Sequence, residues 1–258
     1  MQPVRHTKAT AVILHTSDVF DADRSYLLFA REQGKLRARA KGVRKPKSRL
    51  AGNLLPYVPV ELEFITGDSG WELIVQAHGL VSGGYPNHPL TFLQHAELIA
   101  ETIDKLLPDR EAHPDIFEGL IYTMERLRAL CTDETDSPTL LLVVAELLFK
   151  ILIVMGYRPE LENCVVTGEE LTPQGLSWSS QVGGVVSEKG LRNMSVPALP
   201  LKSARSVVAL RQLARPEFVA ERLNMDADVQ AETCKVVFDY LQTQIGKPLK
   251  SYGVLGRF

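Results

Sequence analysis

The stretch Ser25-Tyr26-Leu27-Leu28-Phe29-Ala30-Arg31-Glu32-Gln33-Gly34-Lys35-Leu36-Arg37-Ala38-Arg39-Ala40-Lys41 decides how the N-terminal part of this chain is read. Ser25 to Arg31 is dense in aromatic and aliphatic residues, and Lys35 to Lys41 alternates a cation with an apolar residue without a break. Both are strand signals, and Glu32-Gln33-Gly34 between them is a tight hairpin connection in which Gly supplies a positive φ. Strand side chains point to opposite faces with period two. Lys35, Arg37, Arg39 and Lys41 are therefore expected on one outward face, with Leu36, Ala38 and Ala40 on the core face.

Strand signals continue on both sides of this hairpin. Thr10 to Thr16 precedes it, and Tyr57 to Thr66 alternates Val58, Val60, Leu62 and Phe64 against Pro59, Glu61 and Glu63. Gly67-Asp68-Ser69-Gly70 then turns the chain into Trp71 to His78, with Trp71, Leu73, Val75 and Ala77 on one side. Five short strands within about seventy residues imply a small closed barrel, since closure removes exposed sheet edges; the five-stranded barrel that commonly binds oligonucleotides is the OB-fold.

After Gly83-Gly84-Tyr85-Pro86 the apolar period changes from two to about 3.6. Phe92 to Leu107, Asp115 to Leu130 and Pro138 to Met155 are expected to be three packed amphipathic helices. Gly156 and Pro159 end the third. Residues 160–200 are irregular and rich in turn residues, and helices resume at Leu201 to Leu213 and Asp228 to Ile245. The expected class is α+β: an OB-fold over residues 1–82, and an all-α domain over 83–258 with a small insertion at 160–200.

The charge is distributed unevenly. Nine of the nineteen residues from Arg31 to Arg49 are basic, against the single acid Glu32. Residues 1–50 carry twelve Lys and Arg against four Asp and Glu, a charge of +8; the whole chain is −2, so the rest is −10. A basic lobe on an acidic body steers a polyanion to one place rather than making the protein generally adhesive. A solvated strand face normally mixes signs to limit repulsion, so this density points to nucleic acid. The candidate contacts are Lys35, Arg37, Arg39, Lys41 and, in the Gly- and Pro-punctuated loop after them, Arg44, Lys45, Lys47 and Arg49. That loop is expected to be flexible. Tyr26, Phe29, Tyr57 and Trp71 are the aromatics considered for base stacking, although each is expected in the core sooner than against a base.

The three cysteines are few and widely spaced, which suits a reducing compartment. The first residues have no secretion-signal core, so a cytoplasmic location is expected. The apolar run Leu140 to Met155 contains Glu146 and Lys150 and is shorter than a membrane span, so it is read as a buried core helix. Positions 164, 167, 187 and 190 have the spacing of a four-cysteine zinc site, yet they are Cys164, Thr167, Ser187 and Gly190. One thiol cannot close a structural zinc site, so the insertion is expected to hold together without metal and without any cofactor.

Catalytic patterns are weak. Asp21-Ala22-Asp23 reads as a turn, with a nuclease using Asp18, Asp21 and Asp23 as a minor alternative. No phosphate-binding loop of the Gly-x-x-x-x-Gly-Lys-Ser/Thr type occurs, and the histidines show no metal-site spacing. The chain is read as a binding protein and not an enzyme.

Several stretches resemble a known family. They are Ala11-Val12-Ile13-Leu14-His15, Gly34 to Gly42, Ser48-Arg49-Leu50-Ala51-Gly52-Asn53-Leu54-Leu55-Pro56-Tyr57, Met155 to Leu161 leading to Cys164, and Gly246-Lys247-Pro248-Leu249-Lys250-Ser251. In this order and spacing they resemble the bacterial recombination mediators called RecO, and in particular members whose finger has lost its zinc ligands. The resemblance implies binding of single- and double-stranded DNA, annealing of complementary strands, and loading of RecA with RecR onto DNA coated by single-strand-binding protein (SSB). It also implies docking of the acidic SSB tail on the helical domain, for which Arg126, Arg128 and Lys150 are candidates, and a nucleoid-associated location. An OB-fold RNA-binding or translation-associated module is the alternative, since a cationic groove alone does not separate DNA from RNA. Lys247 and Lys250 match the family pattern without an assigned role.

Overall fold

The computed structural model describes residues 6–66, 71–80, 88–131, 138–217 and 220–255. The expected turns at 67–70 and 83–86 lie outside them. The chain divides into two compact units, residues 1–129 and 130–258, so the boundary falls at the end of the second helix.

The first unit is built on a closed barrel of five strands: β1 (His6–Val19), β2 (Asp23–Ala30), β3 (Gly34–Ala40), β4 (Pro59–Thr66) and β5 (Glu72–Gly79). Their order around the barrel is β1-β2-β3-β5-β4, with β3 and β5 parallel and the other neighbours antiparallel. Closure followed by helices bears out the expected OB-fold and helical architecture. Alternation fills the interior: Ala9, Ala11 and Ile13 of β1, Tyr26, Leu28 and Ala30 of β2, Leu36, Ala38 and Ala40 of β3, and Val60, Leu62 and Phe64 of β4 form one core cluster.

Part of the barrel's outer wall is also covered, by α1 (Leu90–Leu106) and α2 (Pro114–Leu130). Val12, Leu14 and Phe29 are fully buried although they point away from the barrel interior, and Phe29 meets Phe117 of α2 with ring centroids 6.0 Å apart. Tyr57, at φ 63°, donates from its hydroxyl to Glu97 at 2.5 Å, and its carbonyl accepts from Arg128 at 2.5 Å. Gly34 meets two demands at once. Its φ is 67°, and a Cβ there would lie 1.8 Å from the carbonyl oxygen of Glu111, so the hairpin turn is pressed against the segment that joins α1 to α2.

Two expectations about these elements change. The face of β5 expected to hold Trp71, Leu73, Val75 and Ala77 is split, because the pairing of β5 with β4 shifts register at Glu63/Phe64. An extra residue in one strand reverses the alternation beyond it. Ile74 and Ala77 therefore face the core, while Trp71 remains 40% exposed. The three helices are also divided between the units: α1 and nearly all of α2 belong to the barrel unit, whereas α3 (Pro138–Val154) belongs to the second.

In that second unit α3 is buried along most of its length and packs chiefly on α6 (Ala227–Ile245). Its buried Glu146 accepts from Lys150 at 2.7 Å and from the backbone N–H of Ala220 at 2.8 Å, so the charge is satisfied within the fold. The irregular insertion forms a three-stranded sheet of β6 (Ser177–Ser179), β7 (Gly184–Val186) and β8 (Leu199–Pro200) with the short helix α4 (Glu188–Arg192). Helix α5 (Ala204–Leu213) follows, and α7 (Lys250–Leu255), which had no counterpart in the sequence reading, ends the described chain. No helix among the described residues is long and apolar enough to cross a membrane.

Candidate nucleic-acid interface

Along β3 the outward face runs from covered to open. At its start Lys35 is 6% exposed. Its ammonium lies 3.6 Å from Asp104 and 3.2 Å from Asp109 and donates to the Asp104 carbonyl, so the end of α1 sits over it. The expectation of four open cations on one face is corrected at this position, because the residues that cover it, Asp104 and Asp109, come about seventy positions later. Arg37 is exposed and only loosely approaches Asp104, at 3.9 Å. Arg39 is half-buried; its Nη2 and Nε donate to Asp23 at 2.6 and 3.1 Å. Lys41, just past the strand, is exposed.

The loop that follows is more ordered than its composition implies. Gly42, at φ 63°, donates its N–H to the Asp23 carboxylate at 2.8 Å, and Arg44 donates its N–H to the Ala22 carbonyl at 3.0 Å. Turn bonds from Lys45 to the Gly42 carbonyl and from Ser48 to the Lys45 carbonyl continue it. Val43 and Leu54 enter the barrel core, with Leu50 packed beside them. Gly and Pro thus shape a fixed turn here, because apolar residues between the charges are available to anchor it.

The loop presents its cations outward. Lys41, Lys45, Lys47 and Arg49 are exposed; Lys41 lies within electrostatic reach of Asp23, and among the described residues no acid stands within ion-pair distance of Lys45, Lys47 or Arg49. Arg44 is shared with Asp18 at 3.4 Å and the Asp21 carbonyl at 3.5 Å. The carboxylates of Asp18 and Asp23 are thus committed to arginines. The bond from Arg24 holds the Asp18 carboxyl below its usual range, and the Gly42 N–H, followed by Arg39, does the same for Asp23. This agrees with the turn reading of Asp21-Ala22-Asp23; the nuclease alternative gains no feature from it.

The aromatics separate cleanly. Tyr26, Phe29 and Tyr57 are 2%, 0% and 8% exposed and serve the core, whereas Trp71 reaches the surface. The sequence reading missed Phe20, which is 74% exposed in the β1–β2 turn with the Arg39 guanidinium 4.8 Å from its ring centroid. A large aromatic amid Asp18, Asp21 and Asp23 was the available signal.

The frame positions 164, 167, 187 and 190 do converge in the second unit. Cys164 is 1% exposed, and its sulfur accepts from the Ser187 N–H at 3.4 Å. Burial pushes its thiol up, but the hydroxyls and N–H groups of Ser187 and Thr167 outweigh that and bring it down to about 6. A Cβ on Gly190 would lie 2.7 Å from the sulfur. Hydrogen bonds and close packing occupy the places that thiolates fill in a zinc finger.

Comparison with known proteins agrees with this architecture. The family description "Recombination protein O N terminal" matches residues 1–80, and "Recombination protein O C terminal" matches residues 90–253. The chain belongs to the RecO family. Similar relatives include the DNA repair protein RecO of Syntrophobacter fumaroxidans, 28% identical over 98% of both chains, and that of a Thermoanaerobacter strain, 26% identical over 96% of both. The RecO of Cutibacterium acnes is 31% identical over 82% of this chain and 83% of its own.

Proposed function

We propose that this RecO-family chain acts in DNA repair as a non-catalytic mediator. It binds and anneals single-stranded DNA through the loop side of β3 and, with RecR, helps to load RecA onto SSB-coated strands. The observation that carries the DNA site is the row of Lys41, Lys45, Lys47 and Arg49, exposed on a hydrogen-bonded loop, with Lys41 feeling Asp23 only through space and no described acid within ion-pair distance of the other three. Unpaired cations on a rigid support neutralise phosphate without first breaking internal ion pairs. Arg37, Arg39 and Arg44 flank this row, while Lys35 supports the fold. Family membership favours DNA over the RNA-binding alternative. It also favours a cytoplasmic, nucleoid-associated location.

The SSB tail, an acidic peptide with an apolar end, suits a groove of the second unit about 480 Å³ in volume, lined by the cations Arg158 and Arg215 and the exposed Val208, with Arg211 held to the Leu161 carbonyl and paired with Glu162 at 3.2 Å in its wall. Of the candidates named from sequence, Lys150 is bonded to Glu146 and the Pro216 carbonyl, Arg128 to the Tyr57 carbonyl, and Arg126 stands 5.2 Å from the Tyr122 ring centroid.

The test is the salt dependence of binding. Each phosphate contact on a single strand contributes about −0.7 to the slope of log affinity against log salt. Replacing Lys41, Lys45 and Lys47 with Gln is expected to flatten that slope by roughly 2 and to slow annealing of SSB-coated strands with RecR present. A triple variant that keeps the full slope moves the DNA site elsewhere. Equal or tighter binding of an RNA strand of the same sequence favours the RNA reading.

A further inference from the structure

Three described residues other than glycine have positive φ: Phe20 at 56°, Tyr57 at 63° and Arg110 at 60°. Such a backbone is unfavourable for a side chain with a Cβ and persists where the surroundings impose it. For two of them the surroundings are visible. Tyr57 is buried and bonded to Glu97, and Arg110 donates its N–H to the Lys35 carbonyl and its guanidinium to Glu72.

Phe20 is different. Its ring is 74% exposed, and its packing partner is the Arg39 guanidinium. Gly or Asn would make the same turn with less strain and no apolar surface in water. The turn is nevertheless held firmly to the basic loop. Asp23 grips both Arg39 and the Gly42 N–H, and Ala22 accepts from Arg44. The ring therefore has a fixed place beside the cations. On the other side of β3, the exposed Trp71 immediately precedes the pairing of Ala38 with Glu72. Two surface aromatics thus border the strand that carries Arg37 and Arg39.

We propose that Phe20, braced on one side by Arg39, is a stacking platform for an unpaired nucleobase, with Trp71 as a second platform, so that this face selects single strands over duplex. The proposal rests on the reading of the basic loop as the DNA site. Cations hold phosphates of either form, but a base reaches an aromatic ring only when it is free of its own stack.

The experiment measures fluorescence anisotropy with three labelled probes of equal length: a thymidine strand, the same strand made of abasic deoxyribose phosphates, and a duplex. Wild-type protein is expected to bind the thymidine strand roughly 5- to 100-fold more tightly than the abasic strand. In Phe20→Asn, which suits the turn, that ratio falls by the share of one stacked base, roughly 5-fold or more, and it vanishes when Trp71→Ala is added, while the salt slope stays as in wild type; Phe20→Tyr restores the ratio. A wild-type protein that binds abasic and thymidine strands equally overturns the proposal whatever the variants do. So does a folded Phe20→Asn that keeps the full ratio. Failure of the underlying site reading is separate: it appears as an unchanged salt slope in the Lys41, Lys45 and Lys47 triple variant.

Discussion

The basic loop of the barrel and the finger of the second unit both concentrate unusual side-chain chemistry, and they hold it in opposite ways. The loop spreads cations over an ordered backbone and leaves Lys41, Lys45, Lys47 and Arg49 in water, the last three with no described acid within ion-pair distance. The finger takes one thiol out of water and gathers Thr167, Ser187 and Gly190 around it. Charge left solvated at a surface costs the fold little and stays available to a partner, whereas a buried ionisable group is tied to its hydrogen bonds and contributes to the fold. The first region should therefore tolerate substitution in stability and fail in binding, and the second should do the reverse.

The largest effect that would sharpen this contrast is a pH dependence of stability in the second unit. The Cys164 thiol is brought down to about 6 from an ordinary value of 9.0. Between those limits the unfolded chain holds the proton that the folded chain has released, so stability rises as pH increases from about 6 to about 9. It is fully present above 9 and lost as pH falls through 6, with a slope of at most about 1.4 kcal/mol per pH unit. Urea melts at pH 6, 7 and 8 should show the rise in wild type and its disappearance in Cys164→Ser. A flat wild-type profile would mean that the cradle does not hold a thiolate.

A smaller effect is steric. In Gly190→Ala the added methyl would lie 2.7 Å from the Cys164 sulfur and 2.9 Å from Val186 Cγ1. Overpacking of this kind typically costs about 1–3 kcal/mol. Gln variants of Lys41, Lys45 and Lys47 should change stability by no more than about 0.5 kcal/mol. If denaturant midpoints for the two sets are alike, the division into a structural finger and a binding loop fails.

How much of this was legible from sequence follows from how local each cause is. The barrel strands declared themselves through period two, and the finger frame through a spacing set within 27 positions, from Cys164 to Gly190. The burial of Lys35 was hidden because its cover, Asp104 and Asp109, lies about seventy residues away, and no pattern within a strand reports which helix crosses it. The phase of β5 was hidden by a register shift, which leaves the composition of the strand unchanged. The order of the basic loop depends on Val43 and Leu54 reaching the core, and two apolar residues among so many charges are easily read as linker. Phe20 was missed because the alternation argument looks for aromatics in strands, and this one stands in a turn.

Lys35 tests the contrast at its finest, because it belongs by sequence to the binding row and by packing to the fold. Removing one partner of a buried ion pair is costly when the other is stranded away from water. Here, however, the Asp104 and Asp109 side chains are 39% and 62% exposed and remain hydrated without it. Lys35→Met keeps the aliphatic stem that fills the space under α1, so a stability loss of about 1 kcal/mol or less is expected. Its salt slope for single-stranded DNA should match wild type, whereas Lys41→Gln should lower the slope by about 0.7. If Lys35→Met also lowers it by that amount, the ammonium leaves Asp104 and Asp109 for a phosphate when DNA arrives, and the covered end of β3 would rejoin the interface.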